Sequence, residues 1–314
     1  MNSFVLAFSV VCPLFLMMAL GCFLHRIGMF PDNFMRQLNK VCFNVFLPLL
    51  LFINVYDSDF SAAFKPKLLL FAVLSLAALF AVLMLFVPKF VPDCARRGVV
   101  VQGIMRSNFV LFGLPVVASL YGTGQTGVTP ILIAFIVPLF NLLSVVALEY
   151  FKGDTTNWKR IAKGILTNPL ILGAAAAFFC ILTGLQLPMV LDKTVRDIAK
   201  IATPLSLIVL GGSFTISSLK SNWKALLCTV SGRLVFVPLV FVSLAVLLGI
   251  RGEALGALMI MFASPTAVSS FTMAQQMEAD DTLAGQIVVM TSVFAILTIF
   301  FWIGILNQTG LLGL

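Results

Sequence analysis

Apolar residues run along this chain in stretches of roughly 20, each long enough to cross the hydrocarbon core of a bilayer. Short polar, glycine- or proline-bearing breaks separate them. Ten stretches are predicted as helices, over residues 3–25, 34–56, 67–88, 97–121, 127–150, 161–184, 189–217, 224–249, 253–277 and 281–306. The longest connecting loop, Phe151 to Arg160, falls near the middle and divides the chain into 1–150 and 161–314. The pattern predicts an all-α polytopic membrane protein. The first stretch lacks a basic start and a small-residue cleavage site, so it is expected to stay as a helix rather than leave as a signal peptide.

Composition agrees with that pattern. Of 314 residues, 61% are apolar and 10% are charged, against about a quarter charged in ordinary soluble domains. The net charge of +8 would suggest a nucleic-acid partner in a soluble protein. Here the basic residues lie in short loops, where they set orientation, and no nucleic acid is expected. Twelve lie after the first, third, fifth and seventh stretches and six on the other side. Both termini are therefore expected outside the cell membrane.

The prolines repeat. Pro13, Pro31, Pro48 and Pro115 are separated by 18, 17 and 67 residues, and Pro169, Pro188, Pro204 and Pro265 by 19, 16 and 61. Five helices per half is an odd number, so the second half enters the membrane inverted. Paired breaks in inverted repeats point to a secondary transporter with its site near the midplane. Proline removes a backbone donor and clashes with the carbonyl four residues back. "FGLPVV" and "FASPTAVSS" are therefore expected to open the fourth and ninth helices at Pro115 and Pro265. The half-helices starting there would turn N–H groups and a positive dipole end towards an anion. Prolines also occur as plain kinks in membrane helices. It is their pairing that favours a site.

Polar residues within the apolar stretches supply the candidate ligands. Asn108 lies seven residues before Pro115 and Asn44 four before Pro48, each on the same helical face as its proline. Asn141 lies inside the fifth helix. Each would either bind a carboxylate or hold helices together. Arg106 and Arg233 are the two basic residues well inside the apolar stretches. A charge at that depth faces the bundle interior or a wet cavity. They would attract an anion or hold a structural network. On an ideal helix Arg106 turns about 200° away from Asn108, so the two are not expected to share a ligand. Apart from Glu149, and from Asp192, Asp197, Glu253 and Asp281 in the opening turns of later stretches, these segments contain no Asp or Glu, which argues against a carboxylate proton relay. Coupling to protons or sodium is left open, with the hydroxyls of "SPTAVSSFT" as candidates. The single histidine, His25, and six cysteines without a CxxC pair give no metal site or catalytic triad. No cofactor is expected.

These residues resemble the auxin efflux carrier family, which includes plant PIN-FORMED carriers and bacterial malate- or malonate-type permeases. The resemblance rests on "LNKVCFNVFLPLLLF", "NFVLFGLPVVASLYG" with its Asn, Gly113-x-Pro115 and Tyr-Gly, Asn168–Pro169, "GRLVFVP" with "GIRG", and "ASPTAVSSFTMAQQ". It covers essentially the whole chain. It implies two inverted five-helix repeats, with helices four and nine crossing at their prolines. It also implies a transport domain of helices 3–5 and 8–10 that moves like an elevator against scaffold helices 1, 2, 6 and 7. By position, Asn108, Gly113, Pro115, Pro265 and Thr266 fall at the crossover. Leu51 falls at a ligand-facing position where the plant carriers have a hydroxyl. Family substrates are organic anions, and the resemblance suggests a homodimer through the scaffold. The long hydrophilic loop of many plant members is absent, as in short prokaryotic forms. A passive anion pore and a sodium-coupled symporter of the related bile-acid-transporter-like fold are the alternatives. An intramembrane enzyme lacks a nucleophile–base pair or metal ligands.

Overall fold

The computed structural model describes residues 3–58, 65–122, 127–153, 158–215 and 219–313, with side chains from residue 11 onwards. Residues 154–157 of the expected central loop lie outside the described residues. The described chain is helical throughout: α1 (Ser3–Arg26), α2 (Asp32–Val41), α3 (Leu47–Tyr56), α4 (Pro66–Phe90), α5 (Cys94–Met105), α6 (Phe109–Tyr121), α7 (Val128–Tyr150), α8 (Trp158–Thr167), α9 (Pro169–Thr183), α10 (Met189–Ala199), α11 (Ala202–Ser213), α12 (Leu219–Ser231), α13 (Val237–Leu247), α14 (Gly252–Ala263), α15 (Ser269–Gln276) and α16 (Asp281–Gln308).

One π-helical turn, Cys42–Phe46, joins α2 to α3, and another, Gly232–Phe236, joins α12 to α13. Each leads into a proline at the start of the next helix, Pro48 or Pro238. A widened turn lets the helix continue past a residue that donates no hydrogen bond. Among the described residues, five helices are long and apolar enough to cross a membrane: Asp32–Tyr56, Pro66–Phe90, Val128–Tyr150, Leu219–Leu247 and Asp281–Gln308. The pair α8–α9, bent by 57°, makes a sixth when counted as one span. The bend sits at Asn168, whose ψ of 122° keeps it out of the helical region, as expected before a proline. Its side chain caps α9 by accepting from the Leu170 N–H at 3.0 Å. The expected stretch 161–184 is thus two helices, with the apolar part starting at Pro169.

Two helix pairs approach almost backbone to backbone. A methyl group on Gly21 of α1 would overlap the Ile208 carbonyl of α11, and one on Gly211 would overlap that of Met18. Gly173 of α9 meets the Pro48 carbonyl of α3 in the same way. Small residues permit this closeness where lipid gives no hydrophobic force between helices.

The fourth and ninth expected helices are both broken, but the first break is not where proline predicts it. α5 ends at Met105 and α6 begins at Phe109, leaving Arg106, Ser107 and Asn108 non-helical. Pro115 lies inside α6 on its exposed face, so the helix absorbs the missing donor and continues. The second break, Ser264 to Val268, does contain Pro265. At the crossing Ser107 pairs with Thr266 as an antiparallel bridge, and the Asn108 N–H donates to the Pro265 carbonyl at 2.8 Å. The chain opens where two backbones satisfy each other rather than at the proline alone.

Candidate functional site

Breaking two helices frees carbonyls at the ends of α5 and α14, and the sequence answers with Arg233. This residue is fully buried. Its Nε donates to the Ser264 carbonyl at 2.8 Å, and Nη2 to that of Met261 at 2.9 Å. Nη1 donates to Ile104 and Met105 at 3.2 and 3.1 Å. One guanidinium therefore ties both broken ends together. Thr266 adds to the knot: its hydroxyl donates to the Gly103 carbonyl at 2.7 Å and its N–H to the Thr291 hydroxyl at 3.1 Å. Neither residue borders the cavity described next.

That cavity, of about 70 Å³, opens beside the crossing. Arg106, Ser107 and Asn108 from the first break face Ala267, Val268 and Ser269 at the second. Leu47, Leu50, Leu51 and Asn54 of α3, Val137, Phe140 and Asn141 of α7, Leu170 of α9, and Thr203 and Ser206 of α11 complete it. Arg106 is 4% exposed. Its Nη2 donates to Asn141 Oδ1 and Ser269 Oγ, both at 2.7 Å, and its Nη1 meets the Met273 sulfur. Those partners are neutral, and no carboxylate pairs with Arg106 among the described residues. Asn108 is 7% exposed, and its Nδ2 is buried with no hydrogen-bond partner; Ser107 Oγ is in the same condition. Val110 and Leu111 bring the first turn of α6 to the wall, and first-turn N–H groups have no acceptor within their own helix. A positive charge and unfilled donors face one small space, which suits an anion.

The sequence-predicted residues divide accordingly. Arg106, Asn108, Asn141 and Leu51 line the cavity. Arg106 and Asn108 share it, contrary to the ideal-helix expectation, because the helix ends between them. Asn44 lies on an exposed face and its amide donates to the Lys40 carbonyl at 2.7 Å. Gly113 makes room for the Phe109 ring and the Thr129 methyl between α6 and α7. Pro115 is on the outside of α6, and Pro265 acts through its carbonyl at the crossing. Ser107, Asn54, Thr203 and Ser206 were not singled out from sequence. Single small polar residues in apolar stretches carry no signal that separates lining from packing.

Bilayer-length apolar helices enclosing a crossed pair of breaks and a buried polar cavity define a multi-pass membrane transporter. The family profile described as membrane transport protein matches residues 6–303. The chain belongs to that family, to which the auxin efflux carrier resemblance pointed. No curated protein matches it.

Proposed function

We propose that this protein is a secondary carrier of a small organic anion, held through its carboxylate in the cavity at the crossing. The observation that carries this reading is the burial of Arg106 without a carboxylate beside the unpartnered amide of Asn108. A buried charge lacking a counter-ion is costly, and a bound carboxylate would supply one. In this reading Arg106 gives the charge, Asn108 and Ser107 give hydrogen bonds, and the α6 N-terminus adds its dipole. Asn141 and Ser269 hold the guanidinium in place. Leu47, Leu50 and Leu51 would contact the apolar part of the anion.

The ten expected spans would form two inverted repeats, residues 1–150 and 161–314. The close pairs support this: α1 packs on α11 as α9 packs on α3, the relation expected if helices one and two correspond to six and seven. α1, α2–α3, α8–α9 and α10–α11 would be the scaffold, and α4–α7 and α12–α16 the elevator, with the cavity between them. Membership of a transporter family favours a carrier over an enzyme, and the small size of the cavity favours it over a passive pore. The cell membrane, outward termini and a scaffold homodimer belong to the same proposal. Its test is a thermal-shift screen of the purified protein against mono- and dicarboxylates, with and without sodium. A ligand at a hundred times its dissociation constant should stabilise the fold by about 2.7 kcal/mol. A dose-dependent shift lost in Arg106→Gln is expected. Shifts only with neutral or cationic solutes would overturn the anion reading.

A further inference from the structure

A second cavity lies far from the crossing in character. It is a groove of about 710 Å³ between the start of α4 and the turn joining α13 to α14. Its rim carries Lys65, Lys67 and Arg251, all exposed, and its floor is formed by Phe71, Leu248 and Ala254 among others. Among the described residues none of the three cations has a carboxylate partner. Glu253, two residues beyond Arg251, instead accepts from the Val128 N–H at 3.1 Å. Arg251 is held in place, with Nη1 donating to the Val246 and Ile250 carbonyls at 2.6 and 2.8 Å.

The depth of the groove follows from the helices that make it. Pro66–Phe90 and Leu219–Leu247 are both bilayer-length apolar helices; the groove occupies the first turn of one and the exit from the other. The cations therefore sit at the boundary between hydrocarbon and water. From the rim, the exposed side chains of Leu70, Leu74, Leu247 and Leu248 continue along the same two helices, a surface suited to an acyl chain. Like-charged side chains gathered without counter-ions repel each other, and a phosphate at headgroup depth relieves that.

We propose that this groove binds one anionic phospholipid, with its phosphodiester between Lys65, Lys67 and Arg251 and an acyl chain against Phe71 and Leu248. This site is separate from the carried anion and stands whether or not the crossing binds a carboxylate. Native mass spectrometry of the detergent-purified protein titrated with phosphatidylglycerol or chain-matched phosphatidylcholine tests it. One phosphatidylglycerol should be retained in preference to phosphatidylcholine. Its affinity should fall about fivefold per lysine removed, hence about 25-fold in Lys65→Gln/Lys67→Gln, and return in Lys65→Arg/Lys67→Arg. Both variants leave the Arg251 bonds to the α13 end intact, and an unchanged melting temperature checks their fold. Equal retention of the two lipids, or undiminished phosphatidylglycerol binding in the glutamine variant, would overturn the proposal. So would displacement of the lipid by inorganic phosphate at matched concentration, which would assign the groove to a soluble anion.

Discussion

Four backbone carbonyls, those of Ile104, Met105, Met261 and Ser264, converge on the guanidinium of Arg233. Arg233→Met should leave them buried and unpaired at about 1–3 kcal/mol each, so we expect loss of folded protein on size-exclusion chromatography. Arg106 makes the opposite prediction. Arg106→Gln keeps hydrogen-bonding capacity towards Asn141 and Ser269 while removing the charge. It should remain folded but lose anion binding in a ligand thermal-shift assay. Asn108→Ala should weaken binding about 10- to 100-fold, the worth of a hydrogen bond to a charged group. Asn44→Ala, on the exposed face, should change stability by no more than about 0.5 kcal/mol and leave binding intact. Sequence alone shows that both arginines are costly and face inward. It does not separate them, because the difference lies in whether four backbone carbonyls or neutral side chains beside a cavity meet the guanidinium.

At the scale of the helix, the paired breaks were legible and the position of one was not. Proline marks where a helix is weakened, yet α6 carries Pro115 in its interior. The opening at Arg106 to Asn108 depends on Thr266 and Pro265, about 160 positions away in the chain, and local pattern reading cannot see a partner so distant. Pro265→Ala should therefore slow transport more than Pro115→Ala does, since only Pro265 lies in a break. Equal rates for the two variants would show that the broken segments do not depend on their own backbone restraint. Gly21 and Gly211 make a sharper case at this scale. Gly211→Val pushes side-chain atoms into the Met18 carbonyl, and the separation of α1 from α11 should lower the melting temperature.

For the whole molecule, the all-helical class followed from hydrophobic runs and the membrane class from composition, whereas five or six bilayer-length spans stand among the described residues where ten were expected. What did not follow was how the helices share surfaces. The close approach of α1 to α11 and of α3 to α9 rests on single glycines whose importance appears only when the facing carbonyl is known. The cavity is assembled from six separate regions of the chain, so no local motif contains it. The proposed carrier mechanism requires this one site to open alternately to each side, which a pore does not do. Counterflow in proteoliposomes tests that directly: vesicles preloaded with the carboxylate found by thermal shift, then given a radiolabelled trace outside. The account predicts saturable uptake accelerated by internal substrate and abolished by Arg106→Gln. Non-saturating flux, indifferent to internal substrate and accompanied by channel-like conductance, would contradict it.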